Sequence, residues 1–285
     1  MAKQKLVMIG NGMAGLRTIE EILERSQSQF DITIIGKEPY PNYNRIMLSN
    51  ILQKKMTVED TIMNPYDWYQ ENNIELINND PVEKVDKENK IVTTSKGIEV
   101  EYDICIFATG SKAFVLPIPG SNLPSVIGWR TIDDTNKMIE IAQTKKRAVV
   151  IGGGLLGLEC ARGLLDQGME VTVLHLADWL MEMQLDRKAG EMLKADLEKQ
   201  GMKIELQANS KEIIGDKDVE AIKLADGRVI ETDLVVMAVG IRPYTEVAKD
   251  SGLDVNRGIV VNDYMQTSDS HIYAVGECAE HDGKV

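Results

Sequence analysis

Two stretches of the chain share one arrangement of apolar and mixed positions. Each begins with a short apolar run that predicts a buried strand, passes through a glycine-rich loop into a stretch that predicts a helix, and ends in a second apolar run. The elements are Leu6–Ile9, Met13–Arg25 and Ile32–Ile35 in the first stretch, and Ala148–Ile151, Leu155–Gln167 and Val171–Leu174 in the second. The copies lie about 140 residues apart, which is too far for a stacked repeat and fits two separate domains.

Each loop has the spacing Gly-x-Gly-x-x-Gly between its strand and its helix. The glycines are Gly10, Gly12 and Gly15 in the first loop, and Gly152, Gly154 and Gly157 in the second. In such a loop the first glycine makes the tight turn, the second lets the backbone approach a pyrophosphate, and the third lets the helix pack close to the strand. The phosphates then lie at the positive end of the helix dipole. We therefore predict two dinucleotide-binding loops, which also include Ala14, Leu155 and Leu156.

Three more apolar runs end in glycine and predict further strands. They are Tyr102–Gly110, Leu234–Gly240 and His271–Val275, the last followed by Gly276 and Glu277. A strand of this kind delivers backbone to a ligand at the carboxyl edge of a parallel sheet, so Thr109, Gly110 and Gly240 are candidate nucleotide contacts. A core strand that simply stops at glycine would produce the same local pattern at any one of them.

Proline and glycine mark two connectors, at 111–122 and at 240–243. We therefore interpret the sequence between them as an inserted domain, and the first and last parts of the chain as one discontinuous domain. The predicted ranges are 1–112 and 241–285 for the outer domain and 113–240 for the inserted one. The predicted fold class is α/β, with two Rossmann-like dinucleotide-binding domains.

Composition and charge narrow the classes of function. The 285 residues carry a formal net charge of −13, which argues against nucleic-acid binding because such a protein needs a basic face. The apolar runs are shorter than the ~20 residues that cross a bilayer. Removing the first strand as a signal peptide would destroy the first loop, so we expect a cytoplasmic protein with no membrane partner. Cys105, Cys160 and Cys278 are too scattered to form an iron–sulfur, zinc or disulfide site, so we expect no metal.

With these motifs the sequence resembles the flavoproteins that carry two dinucleotide-binding domains, among them the ferredoxin, rubredoxin and glutathione-type reductases. The resemblance includes the two loops, the ATG at Ala108–Gly110 and the closing motif Tyr273–Glu277. It implies that the outer domain binds FAD and that the inserted domain binds NAD(P)H. It also implies that Glu277 accepts a hydrogen bond from the ribityl chain of the flavin.

A closer resemblance is to the first part of the large subunits of assimilatory NAD(P)H nitrite reductases. The similar stretches include VMIGNGMAGLRTIEE, PYPNYNRIMLS, VVIGGGLLGLE, VVMAVGIRP and YAVGECAEH. This resemblance implies a longer protein in which iron–sulfur and sirohaem domains follow, so we interpret the sequence as a fragment that passes electrons from NADH to flavin. One alternative is a standalone NADH:rubredoxin or ferredoxin-type reductase that serves a small electron-carrier protein. Another is a non-catalytic dinucleotide-binding interaction domain, and a homodimer is compatible with each.

The resemblance also implies roles for residues outside the loops. Glu38 corresponds to the acid that binds a ribose hydroxyl of FAD, Asn44 and Arg45 to a contact with the diphosphate or the flavin edge, and the main chain of Val82 to the adenine contact. The resemblance implies a similar cofactor contact for Arg130. Each has a plain structural alternative, which is a surface loop acid for Glu38, a surface salt bridge for the arginines and a core side chain for Val82.

In the inserted domain, Glu159 resembles an acid beside the nicotinamide amide, with a role as partner of a helix-face cation as the alternative. His175 stands about 18 residues past the second loop, where NAD-binding domains usually carry an acid. From His175 to Glu182 there are two acids and no Lys or Arg, which favours NADH over NADPH because a 2′-phosphate attracts cations. Asn50 replaces a redox cysteine or a lysine of relatives, which argues against peroxide reduction through a sulfenic acid. No pattern indicates general acid–base chemistry, so we predict no catalytic residue.

Overall fold

The computed structural model describes residues 3–26 and 28–285. Met1, Ala2 and Gln27, which fall within the predicted range 1–112, lie outside the described residues. The helices are α1 (Met13–Ser26), α2 (Leu48–Leu52), α3 (Tyr66–Glu71), α4 (Ile132–Thr144), α5 (Leu155–Asp166), α6 (Arg187–Lys199) and α7 (Glu246–Asp250), with short 3₁₀ turns at Arg45–Met47, Glu59–Thr61 and Gly276–Cys278.

The strands are short, with two to six residues each. They are β1 (Gln4–Ile9), β2 (Phe30–Ile35), β3 (Asn42–Tyr43), β4 (Ile62–Asn64), β5 (Ile74–Ile77), β6 (Val82–Asp86), β7 (Ile91–Thr94), β8 (Glu99–Glu101), β9 (Ile104–Phe107), β10 (Ser111–Ala113), β11 (Val126–Gly128), β12 (Arg147–Ile151), β13 (Glu170–Leu174), β14 (Lys203–Glu205), β15 (Ser210–Ile214), β16 (Ala221–Leu224), β17 (Val229–Glu231), β18 (Leu234–Met237), β19 (Ile241–Pro243), β20 (Ile259–Val260), β21 (Ile272–Ala274) and β22 (Ala279–Glu280).

The chain divides into two compact units, and each unit contains a five-stranded parallel sheet. The first unit comprises the described residues of Met1–Asn44, Ile62–Lys112 and Arg242–Val285. Its parallel sheet has the strand order β21-β9-β1-β2-β5. An antiparallel sheet of β6, β7 and β8 lies between β5 and β9 in sequence, and β3–β4 and β20–β22 form short pairs.

The second unit comprises Arg45–Thr61 and Ala113–Ile241. Its parallel sheet has the strand order β11-β18-β12-β13-β14, and its antiparallel sheet consists of β15, β16 and β17. In this order β12, β13 and β14 take the places that β1, β2 and β5 take in the first sheet, and β18 takes the place of β9. The two units are therefore built on one plan, as the duplicated sequence pattern predicts.

The apolar residues of β1 alternate between two buried clusters. Leu6 and Met8 pack with apolar residues of α1, whereas Val7 and Ile9 pack on the other face with residues of the antiparallel sheet. Because both faces of the parallel sheet are covered, the strand is continuously apolar rather than alternating. This packing holds the carboxyl end of β1, and with it the first loop, in a fixed place.

Every element that the pattern predicts is present, with its ends shifted by a few residues. The largest shift is at 102–110, where only Ile104–Phe107 is strand. The pattern does not predict the two antiparallel sheets, because their strands have three to five residues and are partly exposed. Residues 45–61 belong to the second unit, although the predicted ranges place them in the outer domain. Within 3–26 and 28–285, no helix is both long enough and apolar enough to cross a bilayer.

Glu280 ties the closing segment of the first unit to an earlier turn. Its buried carboxylate accepts hydrogen bonds from the backbone N–H groups of Gly258 and Arg257, at 2.8 and 2.7 Å. The N–H group of Gly258 in particular favours the ionised carboxylate, so the pKa of Glu280 lies below its usual value. The stability that this gives is present above the pKa of an unfolded glutamate, about 4.3, and is lost as the pH falls through the lower pKa of the folded chain.

We expect Glu280→Gln to lower Tm by several degrees at neutral pH. Both backbone N–H groups donate to Oε2, and a neutral amide oxygen in its place accepts them more weakly than a carboxylate does. The NH₂ group of the amide would also face the side-chain amide donor of Asn256, which approaches Oε1. The difference in Tm between the two proteins should shrink as the pH is lowered below the pKa of an unfolded glutamate, about 4.3, because the native carboxylate is then progressively protonated. Thermal unfolding of both proteins across this pH range measures the effect. A Tm difference that does not change with pH would contradict this account of Glu280.

Candidate functional site

The first glycine loop is held by the protein's own packing at its two ends and is open in the middle. Gly10 has a φ of +114°, and a Cβ on it would lie 2.2 Å from the carbonyl oxygen of Ala108. A Cβ on Gly15 would lie 3.0 Å from the Cβ of Ala108. By contrast, apart from Gly12 and its two chain neighbours, no atom of the described residues lies within 4 Å of the place where a Cβ on Gly12 would stand. Packing therefore requires the outer glycines, whereas the middle one leaves room for a ligand to approach the backbone.

The second loop repeats this geometry. Gly152 has a φ of +121°, and a Cβ on it would lie 2.3 Å from the carbonyl oxygen of Ala238. A Cβ on Gly157 would lie 2.0 Å from the carbonyl oxygen of Gly152. Around the Cβ position of Gly154, again, no atom within 3–26 and 28–285 lies within 4 Å, apart from those of Gly154 and its two chain neighbours. The same three spatial roles therefore fall on the same three positions of the motif in both units.

Each loop leads directly into a helix of useful length, α1 with 14 residues and α5 with 12. The first turn of such a helix carries N–H groups without intrahelical partners, at the positive end of the helix dipole. Neither α1 nor α5 has an acidic residue in its first turn. A phosphate-sized anion beside Gly12 or Gly154 would therefore meet N–H donors and no acidic side chain in the first turn of the helix, which fits the diphosphate of a dinucleotide.

The closing motif lies beside the start of α1. Gly276 has a φ of +76°, and a Cβ on it would lie 2.7 Å from the Cβ of Ala14. Glu277, the next residue, is exposed and accepts a hydrogen bond from the hydroxyl of Ser111 at 2.8 Å. The structure therefore brings the predicted residues Ala14, Gly276 and Glu277 together at the first loop.

The ATG segment is tied to the chain that returns to the first unit after the insertion. The hydroxyl of Thr109 donates to the carbonyl of Tyr244 at 2.8 Å, and the N–H of Tyr244 donates to the carbonyl of Gly110 at 2.9 Å. Gly110 has a φ of +65°, which turns the chain away from the sheet. The proton of the Thr109 hydroxyl thus has a structural partner in the carbonyl of Tyr244.

Glu38 follows β2 at the edge where the first loop lies. The hydroxyl of Tyr43 donates to its carboxylate at 2.6 Å, and the N–H of Asn79 donates to its carbonyl oxygen at 3.1 Å. This orients a carboxylate near the end of the second strand, where a ribose hydroxyl is bound in dinucleotide folds. Of the other predicted contacts in this unit, Asn44 follows β3 and Val82 begins β6.

A buried polar network that sequence reasoning missed holds the first loop. The hydroxyl of Tyr69 donates to Oδ1 of Asn11 at 2.9 Å and accepts from the N–H of Asn42 at 3.1 Å. The side-chain amide of Asn42 donates in turn to the carbonyl of Asn11, also at 3.1 Å. Burial raises the pKa of Tyr69, so its hydroxyl stays protonated and can donate. Asn11 stands between the first two glycines, and no local spacing signals that its partners come from residues 42 and 69.

The predicted residues of the second unit line the carboxyl edge of its parallel sheet. Leu155 and Leu156 begin α5 and remain 60% and 39% exposed, although both are large and apolar. Glu159 is half-buried in the next turn of the helix. Gly240 follows β18, the parallel neighbour of β12, so it lies at the same edge of the sheet as Gly152. An open apolar surface therefore adjoins the second loop.

Arg45 and Arg130 come together in the second unit. Nη1 of Arg45 donates to the carbonyl oxygen of Arg130 at 2.9 Å. The N–H of Arg130 donates to the carboxylate of Asp134, which also caps the first turn of α4 with Thr131. Arg45 is therefore part of the second unit rather than of the unit that carries the first loop.

His175 connects the second loop to the segment that follows β13. The ring is buried, and its Nδ1 accepts a hydrogen bond from the N–H of Gly153 at 3.1 Å. Since Nδ1 accepts, the proton of the neutral ring is on Nε2, which lies 2.9 Å from a carboxylate oxygen of Glu182. The N–H of Met181 donates to the carbonyl oxygen of Gly153 at 3.0 Å. Both backbone polar groups of Gly153 are thus bonded to this segment.

Asp178, the other acid of this segment, has different partners. Nη2 of Arg187 lies 2.8 Å from its carboxylate, and the side-chain amide of Gln207 donates to it at 2.6 Å. These contacts, with that of Gln207 the largest, hold the pKa of Asp178 below its usual value. The sequence argument for NADH counts Asp178 as an acid without a neighbouring cation, and the structure corrects this, because Arg187 lies outside 175–182 but folds back onto it.

Comparison with known proteins agrees with this geometry. The family model for pyridine nucleotide-disulphide oxidoreductases matches residues 4–285. The chain is 56% identical over 283 residues to the NAD(P)H nitrite reductase of Bacillus subtilis (strain 168), covering 99% of this chain and 35% of that protein. It is 33% identical to the NADH-rubredoxin oxidoreductase of Clostridium acetobutylicum, covering 100% of this chain and 70% of that protein.

A solved structure gives the same result for the fold. The putidaredoxin reductase in its covalent complex with putidaredoxin matches with a TM-score of 0.90 at 28% identity, covering 99% of this chain and 69% of that chain. The chain spans about a third of the length of the nitrite reductase relative. The predicted resemblance to nitrite reductases and the predicted α/β fold are both confirmed. With its two glycine loops, each at the edge of a parallel sheet, the chain belongs to the pyridine nucleotide-disulphide oxidoreductase family.

Proposed function

We propose that this chain binds FAD at the first loop and NAD(P)H at the second, and that it passes electrons from the nicotinamide to the flavin. The observation that carries this proposal is the duplicated loop, in which Gly12 and Gly154 alone of the motif glycines face open space. A bound flavin would accept a hydride and release its electrons singly, which is chemistry that side chains cannot supply. The task of the chain is then to bind and orient the two nucleotides.

The residues of the first unit divide this task by position. We assign the diphosphate of FAD to the backbone of the loop, with Ala14, and a ribose hydroxyl to Glu38 as oriented by Tyr43. Gly276 and Glu277 stand at the start of α1, so Glu277 is assigned to the ribityl chain. The predicted roles of Asn44, Val82, Thr109 and Gly110 in FAD binding remain part of this proposal. So does the predicted range of the FAD domain, apart from residues 45–61.

In the second unit we assign the NAD(P)H diphosphate to the backbone at Gly154. The exposed Leu155 and Leu156 offer an apolar surface for the nicotinamide, beside Glu159 and Gly240. Arg45 and Arg130 belong to this unit, where they form one bonded pair, and their predicted roles in cofactor binding remain part of this proposal. No general acid or base is required for hydride transfer.

We propose that the electrons are destined for nitrite reduction in a larger protein, in which this chain is the entry module. The relative that supports this is the NAD(P)H nitrite reductase of B. subtilis, which is 56% identical. Iron–sulfur and sirohaem domains of that larger protein would then be the acceptors, in the cytoplasm. The 33% identity with an NADH-rubredoxin oxidoreductase supports the second candidate, a reductase of a small electron carrier.

One experiment separates these enzymes from a non-catalytic binding domain. The purified chain, supplied with FAD, should show a flavin absorption spectrum that NADH bleaches under anaerobic conditions. A bound flavin that NADH leaves oxidised would overturn the proposed function. Bleaching followed by rapid reoxidation with added rubredoxin, faster than with free iron salts, would favour the carrier-reductase candidate over the nitrite reductase module.

We expect NADH to be preferred over NADPH by at least about tenfold in kcat/KM, which corresponds to ~1.4 kcal/mol. The segment next to the second loop presents the carboxylate of Glu182, and Arg187, which contacts this segment, is bonded to Asp178. A 2′-phosphate placed there would meet negative charge without a free basic partner. Initial rates of flavin reduction with each cofactor measure the preference, and a tenfold advantage of NADPH would reverse this assignment.

A further inference from the structure

We propose that Glu182, held in place by His175, is the residue that recognises the adenosine ribose of the nicotinamide cofactor. In dinucleotide folds an acid at the end of the second strand accepts hydrogen bonds from the ribose hydroxyls. That position is occupied here by His175, which follows β13. The role of Glu182 rests on the proposed function of the second loop as the NAD(P)H site.

His175 itself has no ring nitrogen left for a ribose. Nδ1 accepts from the N–H of Gly153, and Nε2 donates to Glu182. His175 is 7% exposed, and a Cβ on Gly153 would lie only 2.7 Å from Cγ of the ring, so the imidazole packs directly on the loop. His175 therefore acts as a spacer between the loop and the carboxylate of Glu182.

Glu182 can take the place of the acid that dinucleotide folds usually carry at the end of the second strand. Its side chain is 34% exposed, and Oε2 of its carboxylate is the atom that contacts Nε2 of His175. It is linked to the second loop through a single ring, and the N–H of its neighbour Met181 donates to the carbonyl oxygen of Gly153. A carboxylate that lies seven positions later in sequence is thereby returned to the end of β13.

The surroundings of the pair suit a nucleoside. Leu176 follows His175 and is 69% exposed, and Met183 follows Glu182 and is 82% exposed. Each member of the polar pair is thus followed by a large apolar side chain that packing within the unit leaves uncovered. A flat purine beside the ribose would bury part of this apolar surface.

Asp178 provides a matched control for Glu182. Both are acids of the same segment, and both have a hydrogen-bonded partner within 3 Å. The charge of Asp178 is balanced by Arg187 and its second contact is Gln207, neither of which belongs to the loop. Removal of its charge should therefore leave the recognition of the ribose unchanged.

The test measures the dissociation constants of NADH and NADPH by calorimetry, and KM and kcat for flavin reduction, in the wild-type chain, Glu182→Gln and Asp178→Asn. We expect Glu182→Gln to weaken NADH binding about tenfold, to lower the NADH/NADPH preference by at least the same factor, and to leave kcat within about twofold. Asp178→Asn should leave the preference within about twofold. His175→Leu should weaken NADH binding as Glu182→Gln does, and His175→Gln, which keeps a donor and an acceptor, should restore part of it.

Equal shifts of the preference in Glu182→Gln and Asp178→Asn would overturn the assignment of Glu182, because a general charge effect would then explain both. An unchanged preference in Glu182→Gln would also overturn it. Failure of the wild-type chain to bind either cofactor would overturn the proposed function itself. If the wild-type chain binds NADH and the variants do not change the preference, only the assignment of Glu182 is overturned. If His175→Leu lowers Tm too far to be studied, Glu182→Gln still decides, since its partner can donate to the amide oxygen.

Discussion

Replacing Gly12 with Asp is expected to remove FAD from the protein without unfolding it. In the part of the chain that the structure describes, no atom beyond the adjacent residues lies within 4 Å of the Cβ position of Gly12, so the folded chain has room for a Cβ there. Its carboxylate would stand where the diphosphate is proposed to lie. Two like charges about 4 Å apart repel by ~4 kcal/mol at an effective dielectric constant of about 20, which corresponds to roughly a thousandfold loss of affinity.

The same substitution in the second loop is the natural control. Gly154 is equally open, so Gly154→Asp should also fold. It should keep FAD at one per chain but lose flavin reduction by NADH. Flavin content after purification, the flavin spectrum on addition of NADH, and Tm distinguish the two variants. If Gly12→Asp keeps stoichiometric FAD, the first loop does not hold the flavin. If Gly154→Asp loses FAD while Gly12→Asp keeps it, the two loops have been assigned to the wrong cofactors.

The parts of this protein that could be predicted from sequence are those whose geometry is local. In each loop the tight turn, the open backbone and the close helix–strand contact depend on residues within a six-residue motif, so spacing alone is informative. The parallel strands could be predicted for a related reason. Both of their faces are buried, and burial on both faces requires an unbroken apolar run that is visible in the sequence.

Contacts between distant segments could not be predicted in this way. The bond of Tyr69 to Asn11 joins residues 58 positions apart, and nothing in the neighbourhood of either residue indicates the other. Arg187 reaches Asp178 because the chain folds back before α6, which removes one acid from the charge argument for NADH. Glu182 was visible as an acid, but its position beside the second loop depends on the hydrogen bonds of His175.

The number and the burial of the cysteines limit the reactions that this chain can catalyse alone. A cubane iron–sulfur cluster is held by four cysteine thiolates, and this chain has three cysteines. Cys105 and Cys278 are buried in the first unit, and Cys160 is buried in the second. Burial raises the pKa of all three thiols, which opposes the thiolate form that binds metals. Across 3–26 and 28–285, no group of three or more His, Cys, Asp or Glu side chains is placed to hold a metal ion.

We therefore expect the 285-residue chain, supplied with FAD and NADH, to reduce ferricyanide but to form no ammonia from nitrite. Ferricyanide needs one electron at a time and no binding site of its own, so two bound nucleotides are sufficient for its reduction. Nitrite needs six electrons and a centre that retains the nitrogen intermediates, and the three buried thiols cannot provide one. Absorbance of ferricyanide and an enzymatic ammonia assay measure the two activities on one preparation. Gly154→Asp is the control, and it should lose the reduction of ferricyanide. Ammonia formation by the pure chain would refute its role as an electron-entry module, because the site of nitrite reduction would then have to lie within these residues.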